Sequence, residues 1–264
     1  MIERTVETLR GARVRVFEAG RVEAPPLVFM HGLSGLLEDT RFMELLGQEF
    51  HVLAPELPGY GQSTGEQLLE DMLDFTLHGM DVLVALDLTD TKPALVGHSV
   101  GGMIAAEMAC LAPQSIGKLV LIDAFGLWLP EQPIPDVFAF MPYEFGEYLF
   151  HDQKRAAELL PGGTELADSD GLRDFVVDNA RRLGTAGKVL FPIPNRRLSK
   201  RLYRLTVQTL IVWGAQDRLI PAAYVAEWAK LLPHARVACI ENAGHMLPYE
   251  QPDALAREVG AFLS

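Results

Sequence analysis

The chain has 264 residues and a mass of 29.1 kDa, long for one small domain and well suited to a single α/β unit carrying an insertion. With 49% apolar and 22% charged residues it can bury a sizeable core, which excludes disorder as its overall state. Its 23 Lys and Arg against 35 Asp and Glu give a formal net charge of −12, which argues against nucleic acid as a main partner and against an anionic membrane surface.

The N-terminus, Met1 to Glu7, mixes both charge signs without an apolar block, so it fails the signal-peptide pattern. No run approaches the roughly 18 to 20 apolar residues of a membrane helix, and the reading is a cytoplasmic protein. Cys110 and Cys239 belong to no metal-site or disulfide spacing and read as buried hydrophobes.

Apolar runs of four to seven residues alternate with stretches of helical period, the pattern of a mostly parallel sheet covered on both faces. In chain order, Arg4 to Leu9 and Arg13 to Ala19 predict an antiparallel pair around Arg10-Gly11-Ala12. Strands follow at 26–30, 50–54 and 93–96, then at 118–122, 209–213 and 236–240, which makes eight. Helical spacing predicts one long helix over 66–86 and shorter ones over 103–111, 222–232 and 252–263.

The rhythm breaks once. Residues 124–207 separate two strands by far more chain than a βαβ step needs, so they form an inserted cap on a core domain of 1–123 and 208–264. Helices are expected there at 153–160 and 171–183, split by Gly162-Gly163. The cap's first third is aromatic, and its rings read mainly as the insertion's own core. Trp128, Phe138 and Phe140 are candidates to roof an apolar pocket together with Met246.

Directly after the strand ending at Val96 stands Gly97-His98-Ser99-Val100-Gly101-Gly102, followed by a helix. A G-x-S-x-G sequence between strand and helix is the setting of a nucleophile elbow. A Cβ at Gly97 or Gly101 would strike the neighbouring strand or helix, and the Val100 amide would face whatever lies over Ser99.

A serine hydroxyl needs a base and a group to orient that base. Asp217 follows the strand ending at Trp213, and His245 follows the last strand, so Ser99, Asp217 and His245 each lie beyond a strand's C-terminal end. The loop His31-Gly32-Leu33-Ser34-Gly35 supplies a second amide, at Leu33, to pair with that of Val100 as an oxyanion hole. His31 precedes the nucleophile and reads as a loop-holding residue. Asp123 is the alternative acid, or else a cap for the insertion's first turn. His234 precedes the last strand, at the wrong end of the sheet, and His51, His78 and His151 carry no partner signal. Trp213 and Tyr249 read as packing residues.

These segments, with Leu57-Pro58-Gly59-Tyr60-Gly61-Gln62-Ser63 and Gly244-His245, resemble motifs of the α/β-hydrolase superfamily over nearly the whole chain outside the insertion. The resemblance implies an eight-stranded sheet with its second strand antiparallel, a helical cap after the sixth strand, and a Ser-His-Asp mechanism without metal or cofactor. Ser99 argues against the aspartate-nucleophile dehalogenases and epoxide hydrolases of that superfamily. Members that hydrolyse C–C bonds of ring-cleavage products typically carry Asn before the nucleophile and Trp after the histidine, where this chain has His98 and Met246.

The expected activity is hydrolysis of a carboxylic ester of small to medium, largely apolar character through an acyl-enzyme. C–C or lactone hydrolysis is the alternative, and a non-catalytic ligand-binding relative the reading from another class. The substrate is a small molecule, and a monomer and a homo-oligomer fit the sequence equally. Arg196, Arg197, Lys200, Arg201 and Arg204 form the densest basic cluster, either a solvated face or the source of one arginine that holds a substrate carboxylate. Residues 126–204 hold eleven acids and eleven bases, so the whole excess negative charge falls on the sheet unit. That distribution predicts tolerance of neutral or singly charged substrates and lower turnover when a second carboxylate is added.

Overall fold

The computed structural model describes residues 1–141, 144–160, 169–191 and 197–264. The apolar runs become eight strands: β1 (Ile2–Glu7), β2 (Arg13–Ala19), β3 (Pro26–Met30), β4 (His51–Pro55), β5 (Ala94–His98), β6 (Lys118–Ile122), β7 (Gln208–Gly214) and β8 (Arg236–Ile240). They form one sheet in the order β1-β2-β4-β3-β5-β6-β7-β8. Only β2 runs against the others, pairing antiparallel with both β1 and β4. The first strand starts and ends two residues earlier than its apolar pattern predicts, because Thr8 to Ala12 are taken by the turn: the Gly11 amide donates to Thr8 O at 2.8 Å and Gly11 sits at φ 79°.

The central strands are buried on both faces, as continuous apolar runs require in a parallel sheet. Alternate side chains serve two cores. Val28, Met30, Leu95, Leu121 and Trp213 face α2 (Met72–Ala85), α3 (Val100–Leu111) and α7 (Ala223–Leu231). Leu27, Phe29, Val96, Ile122 and Val212 face α1 (Arg41–Leu46) and α9 (Pro252–Leu263). Cys110 is buried in the first of these, but Cys239 is exposed, because β8 is an edge strand with little cover.

The long helix expected over 66–86 is divided. Glu66–Leu68 is a 3-10 turn, and α2 begins only after Asp71, whose carboxylate accepts the Leu73 and Asp74 amides at 2.9 and 3.2 Å. Asp74 in turn accepts the Glu70 amide at 2.9 Å, so the N-terminus is capped from both sides.

Between β6 and β7 the chain forms α4 (Phe145–Leu149), α5 (Gln153–Leu159) and α6 (Ser169–Leu190). The Gly162-Gly163 break lies outside the described residues. Helix α6 runs seven residues past its expected end, through Gly184 and Gly187, because packing overrides their low propensity. Thr185, Ala186, Val189 and Leu190 are buried beneath it, and Lys188 Nζ donates to Glu66 O and Leu69 O at 2.6 and 2.8 Å.

Among the described residues, the insertion's buried side chains form no separate core. Phe125, Leu127, Leu149, Phe150, Val189 and Leu198 all join the core that covers the α2/α3 face of the sheet. Among the described residues no helix is long and apolar enough to cross a membrane.

Candidate active site

Strand β5 delivers Ser99 into a turn at φ 57°, ψ −119°, a backbone geometry that L-residues avoid and that costs on the order of 1–3 kcal/mol. The surroundings hold it there. The Ser99 amide donates to Ile122 O at 2.9 Å, and Ser99 O accepts from Met103 and Phe125 amides at 3.1 Å each. The glycines are demanded by space: a Cβ on Gly97 would come within 2.6 Å of Gly101 O, and one on Gly101 within 2.2 Å of Met30 O.

The triad predicted from chain order is assembled. His245 Nε2 lies 2.8 Å from Ser99 Oγ, and His245 Nδ1 lies 2.8 Å from Asp217 Oδ2. Asp217 Oδ1 accepts the Leu219 and Ile220 amides at 2.8 and 2.9 Å, so its carboxylate is fully engaged. Trp213 shapes that loop by donating from Nε1 to Ile220 O at 3.0 Å. All three triad side chains are buried.

Gly32 presses directly on the nucleophile, since a Cβ there would sit 2.8 Å from Ser99 Cβ. The adjacent Leu33 amide and the Val100 amide at the start of α3 donate to no protein acceptor among the described residues. His31 holds this loop, as its position implied: Nδ1–H donates to Gly32 O at 2.8 Å, and Nε2 accepts the Leu57 amide at 2.9 Å. Burial pushes its pKa down, which keeps the ring neutral.

Asp123 is placed differently from either expectation. It sits at φ 44° beside β7, where Oδ1 accepts the Gly214 amide at 2.8 Å and Oδ2 is buried without a partner. It neither touches His245 nor caps the insertion. Burial first, and the nearby Asp217 charge second, raise its pKa well above the carboxylate range.

Two supporting residues were missed in the sequence. His98 donates from Nε2 to His245 O at 2.7 Å, and burial pushes its pKa down to about 3, so the neutral ring clamps the loop that carries the base. Glu250 accepts the Gly244 amide at 2.7 Å and the His151 and Asp152 amides at 2.8 Å each. One carboxylate thereby joins the residue before His245 to the start of α5. The Met246 amide adds a bond to Leu149 O at 2.9 Å. Glu250 is the last residue of α8 (Leu247–Glu250), a short helix that begins right after Met246.

A cavity of about 80 Å³ abuts Leu33. Its apolar walls include Leu37, Phe145, Leu149, Leu160 and Phe175, and its polar groups are Ser34, Asn179 and Arg182. Trp128, Phe138, Phe140 and Met246 do not line it. Phe138 packs edge-on against Phe191, Phe140 stacks on Tyr148 at 4.3 Å, Trp128 is half-buried against the main core, and Met246 lies behind Ser34 with Sδ 3.9 Å from its hydroxyl. Tyr249 keeps a packing role and accepts the Leu37 amide at 3.2 Å.

The basic cluster turns away from this cavity. Arg201 pairs with Glu107 through Nε at 2.7 Å and through Nη2, and Arg204 Nε donates to Cys110 O at 2.8 Å, both on α3. Arg197 and Lys200 are exposed, and Arg196 lies outside the described residues. Among the described residues no group of three His, Cys, Asp or Glu side chains is gathered to hold a metal ion.

A sheet with one reversed strand, a strained serine between β5 and α3, and an acid and a base on later strand ends define an α/β hydrolase. The chain belongs to the α/β hydrolase family, whose family model matches residues 27–258. A dihydrolipoyllysine-residue acetyltransferase component of an acetoin cleaving system from Cupriavidus necator is 32% identical over 91% of this chain. The chain spans 64% of that relative's length. The 2-hydroxymuconate semialdehyde hydrolase of Pseudomonas sp. strain CF600 is 24% identical, covering 96% of this chain and 91% of that protein. The crystal structure of a membrane phospholipase A, described as a bacterial virulence factor, matches with a TM-score of 0.82 at 26% identity, covering 99% of this chain and 85% of that chain.

Proposed function

We propose that the protein is a serine hydrolase that cleaves a carboxylic ester of small to medium size through an acyl-enzyme, with residues 124–207 acting as its cap. The observation that carries this reading is the continuous line Ser99 Oγ, His245 Nε2, His245 Nδ1 and Asp217 Oδ2, with 2.8 Å at each hydrogen bond. In the proposed cycle Ser99 attacks the ester carbonyl as His245 takes its proton. Asp217 fixes the Nδ1–H tautomer and stabilises the imidazolium. The Leu33 and Val100 amides receive the oxyanion, each worth roughly 3 kcal/mol of barrier. His245 then protonates the departing alkoxide. Water then attacks the acyl carbonyl as His245 takes its proton, and His245 returns that proton to Ser99 Oγ as the acid leaves.

An ester is favoured over a less reactive bond because an alkoxide leaving group asks only for the proton that His245 holds. The 2-hydroxymuconate semialdehyde hydrolase among the relatives supports the second reading, cleavage of a C–C bond in a vinylogous diketo acid. A panel of p-nitrophenyl esters graded by acyl length, run beside one such diketo acid, separates the two. Ester turnover that is abolished by a fluorophosphonate and by Ser99→Ala is the expected result. Turnover of the diketo acid alone would transfer the assignment to C–C hydrolysis, and full ester activity in Ser99→Ala would remove Ser99 from the mechanism.

A further inference from the structure

The sequence directs attention to the basic cluster near residue 200 for an arginine that meets the substrate, and the structure places a different guanidinium at the cavity. Arg182, on α6, reaches across to the oxyanion loop and donates from Nη1 to Ser34 O at 3.1 Å and from Nη2 to Asn179 Oδ1 at 3.2 Å. Both acceptors are neutral. Its Nε is buried and has no hydrogen-bond partner among the described residues. No carboxylate stands within ion-pair distance of Arg182 among the described residues, whereas Arg15, Arg155, Arg181 and Arg201 each hold one.

A half-buried cation that meets only neutral acceptors is costly unless an anion completes it. Asp178, one helical turn earlier, lines a second, more polar cavity beyond Arg182 and makes no ion pair with it. The nearby Glu56 is already held by Arg15 through two bonds of 2.7 and 2.6 Å. On the other side Leu37, Phe145, Leu149 and Phe175 form the walls of the cavity that adjoins Leu33. The cavity therefore combines apolar walls, an adjoining oxyanion loop and one incompletely paired planar cation.

We propose that Arg182 receives a carboxylate carried by the substrate a few bonds from the scissile carbonyl, so that the substrate class is the half ester of a short dicarboxylic acid. The proposal rests on the esterase reading. A guanidinium suits a carboxylate because its fork offers parallel N–H donors, and the aliphatic spacer of such a half ester matches the apolar walls. One unpaired cation neutralises one carboxylate, and the surplus negative charge of the sheet unit opposes a second.

The test uses two readouts so that the two readings can fail separately. In turnover, the quantity read is the ratio of kcat/KM for a mono-p-nitrophenyl half ester of a C4–C6 diacid to that for the neutral ester of equal length. The wild-type ratio should exceed ten and fall at least tenfold in both Arg182→Met and Arg182→Gln; Arg182→Lys, which keeps the charge without the fork, should lie between. In binding, calorimetry on the Ser99→Ala protein should show hexanoate at least tenfold tighter than hexanamide, with the gap closed when Arg182→Met is added. A ratio near or below one in wild type, or a preference that survives both neutral substitutions, overturns the proposal. Hexanoate selectivity that depends on Arg182, in a protein that turns over no ester, would leave the carboxylate site standing and overturn the esterase reading. If Arg182→Met does not fold, Arg182→Gln and the wild-type ratio measured in 50 and 500 mM salt decide, the expected result being a fall with salt.

Discussion

The sheet and the 124–207 insertion solve different problems with the same kind of chain. On the sheet, Ser99, Asp217 and His245 each follow a strand, so backbone ladders set their positions. Among the described residues of the insertion no strand ladder forms, and side chains dock it on the sheet unit: Lys188 on Glu66 and Leu69, Arg201 on Glu107, the start of α5 on Glu250. The sheet carries the net charge of −12 while the insertion is formally neutral. The proposed chemistry thus sits at the strand ends of the sheet, while Arg182, the cation proposed to meet the substrate, sits on the insertion.

The largest effect should separate the two buried carboxylates at neighbouring strand ends. Asp217→Asn forces the wrong His245 tautomer and should lower kcat by about 10⁴-fold. Asp123→Asn should change kcat less than threefold in the same ester assay. Its stability effect has a definite sign. The folded-state pKa of Asp123 is raised, so its carboxyl favours the folded state most at low pH. That contribution is lost as pH rises from about 4, where the unfolded carboxyl ionises, up through the folded pKa. The Tm of Asp123→Asn relative to wild type should therefore be higher at pH 7 than at pH 4. A constant difference would show that Asp123 is not held protonated.

Next in size is the joint between the two regions. Glu250→Gln turns a carboxylate that serves three amides into a group with one acceptor, and an N–H donor must then face another donor. Misplacement of the Gly244-His245 segment should cut kcat about tenfold with a smaller change in KM. Equal losses in kcat and kcat/KM for Ser99-independent reasons, seen as a fall in folded fraction by circular dichroism, would mark Glu250 as purely structural. Smaller again is Arg201→Ala, which leaves the Glu107 carboxylate buried and should cost about 2 kcal/mol in urea unfolding while kcat holds. The smallest effect is Phe175→Ala, which should move the preferred acyl length up by one or two carbons, read on the graded ester panel.

The same division explains what could be read from the sequence. The meeting of Ser99, Asp217 and His245 is legible because each follows an apolar run closed by glycine or a turn residue, and their chain order suggests the roles proposed for them. The choice of Asp217 over Asp123 follows from the same order, and the geometry agrees with it. The pocket was not legible. Trp128, Phe138 and Phe140, and Phe145 and Phe175 that line the cavity beside Leu33, are all apolar members of one insertion, and only tertiary packing decides which ring meets a neighbour and which meets the cavity. Arg182 falls inside the helix expected over 171–183, but nothing in the sequence shows that it meets Ser34 O rather than a carboxylate, and of the denser cluster at 196–204 Arg201 and Arg204 turn to Glu107 and Cys110. His98 and Glu250 act on atoms far away in sequence or on backbone amides, and neither contact leaves a periodic trace.

In the proposed cycle Ser99 carries the acyl group. Mass spectrometry of the intact protein, then of its Ser99 peptide, after acid quench during turnover of a slowly deacylating p-nitrophenyl ester tests it most directly. The expected result is one acyl mass per chain, located on Ser99, formed in a burst equal to the enzyme concentration and absent from Ser99→Ala. Steady turnover without an adduct, or an adduct on any other side chain in an enzyme whose Ser99→Ala variant stays active, would contradict it.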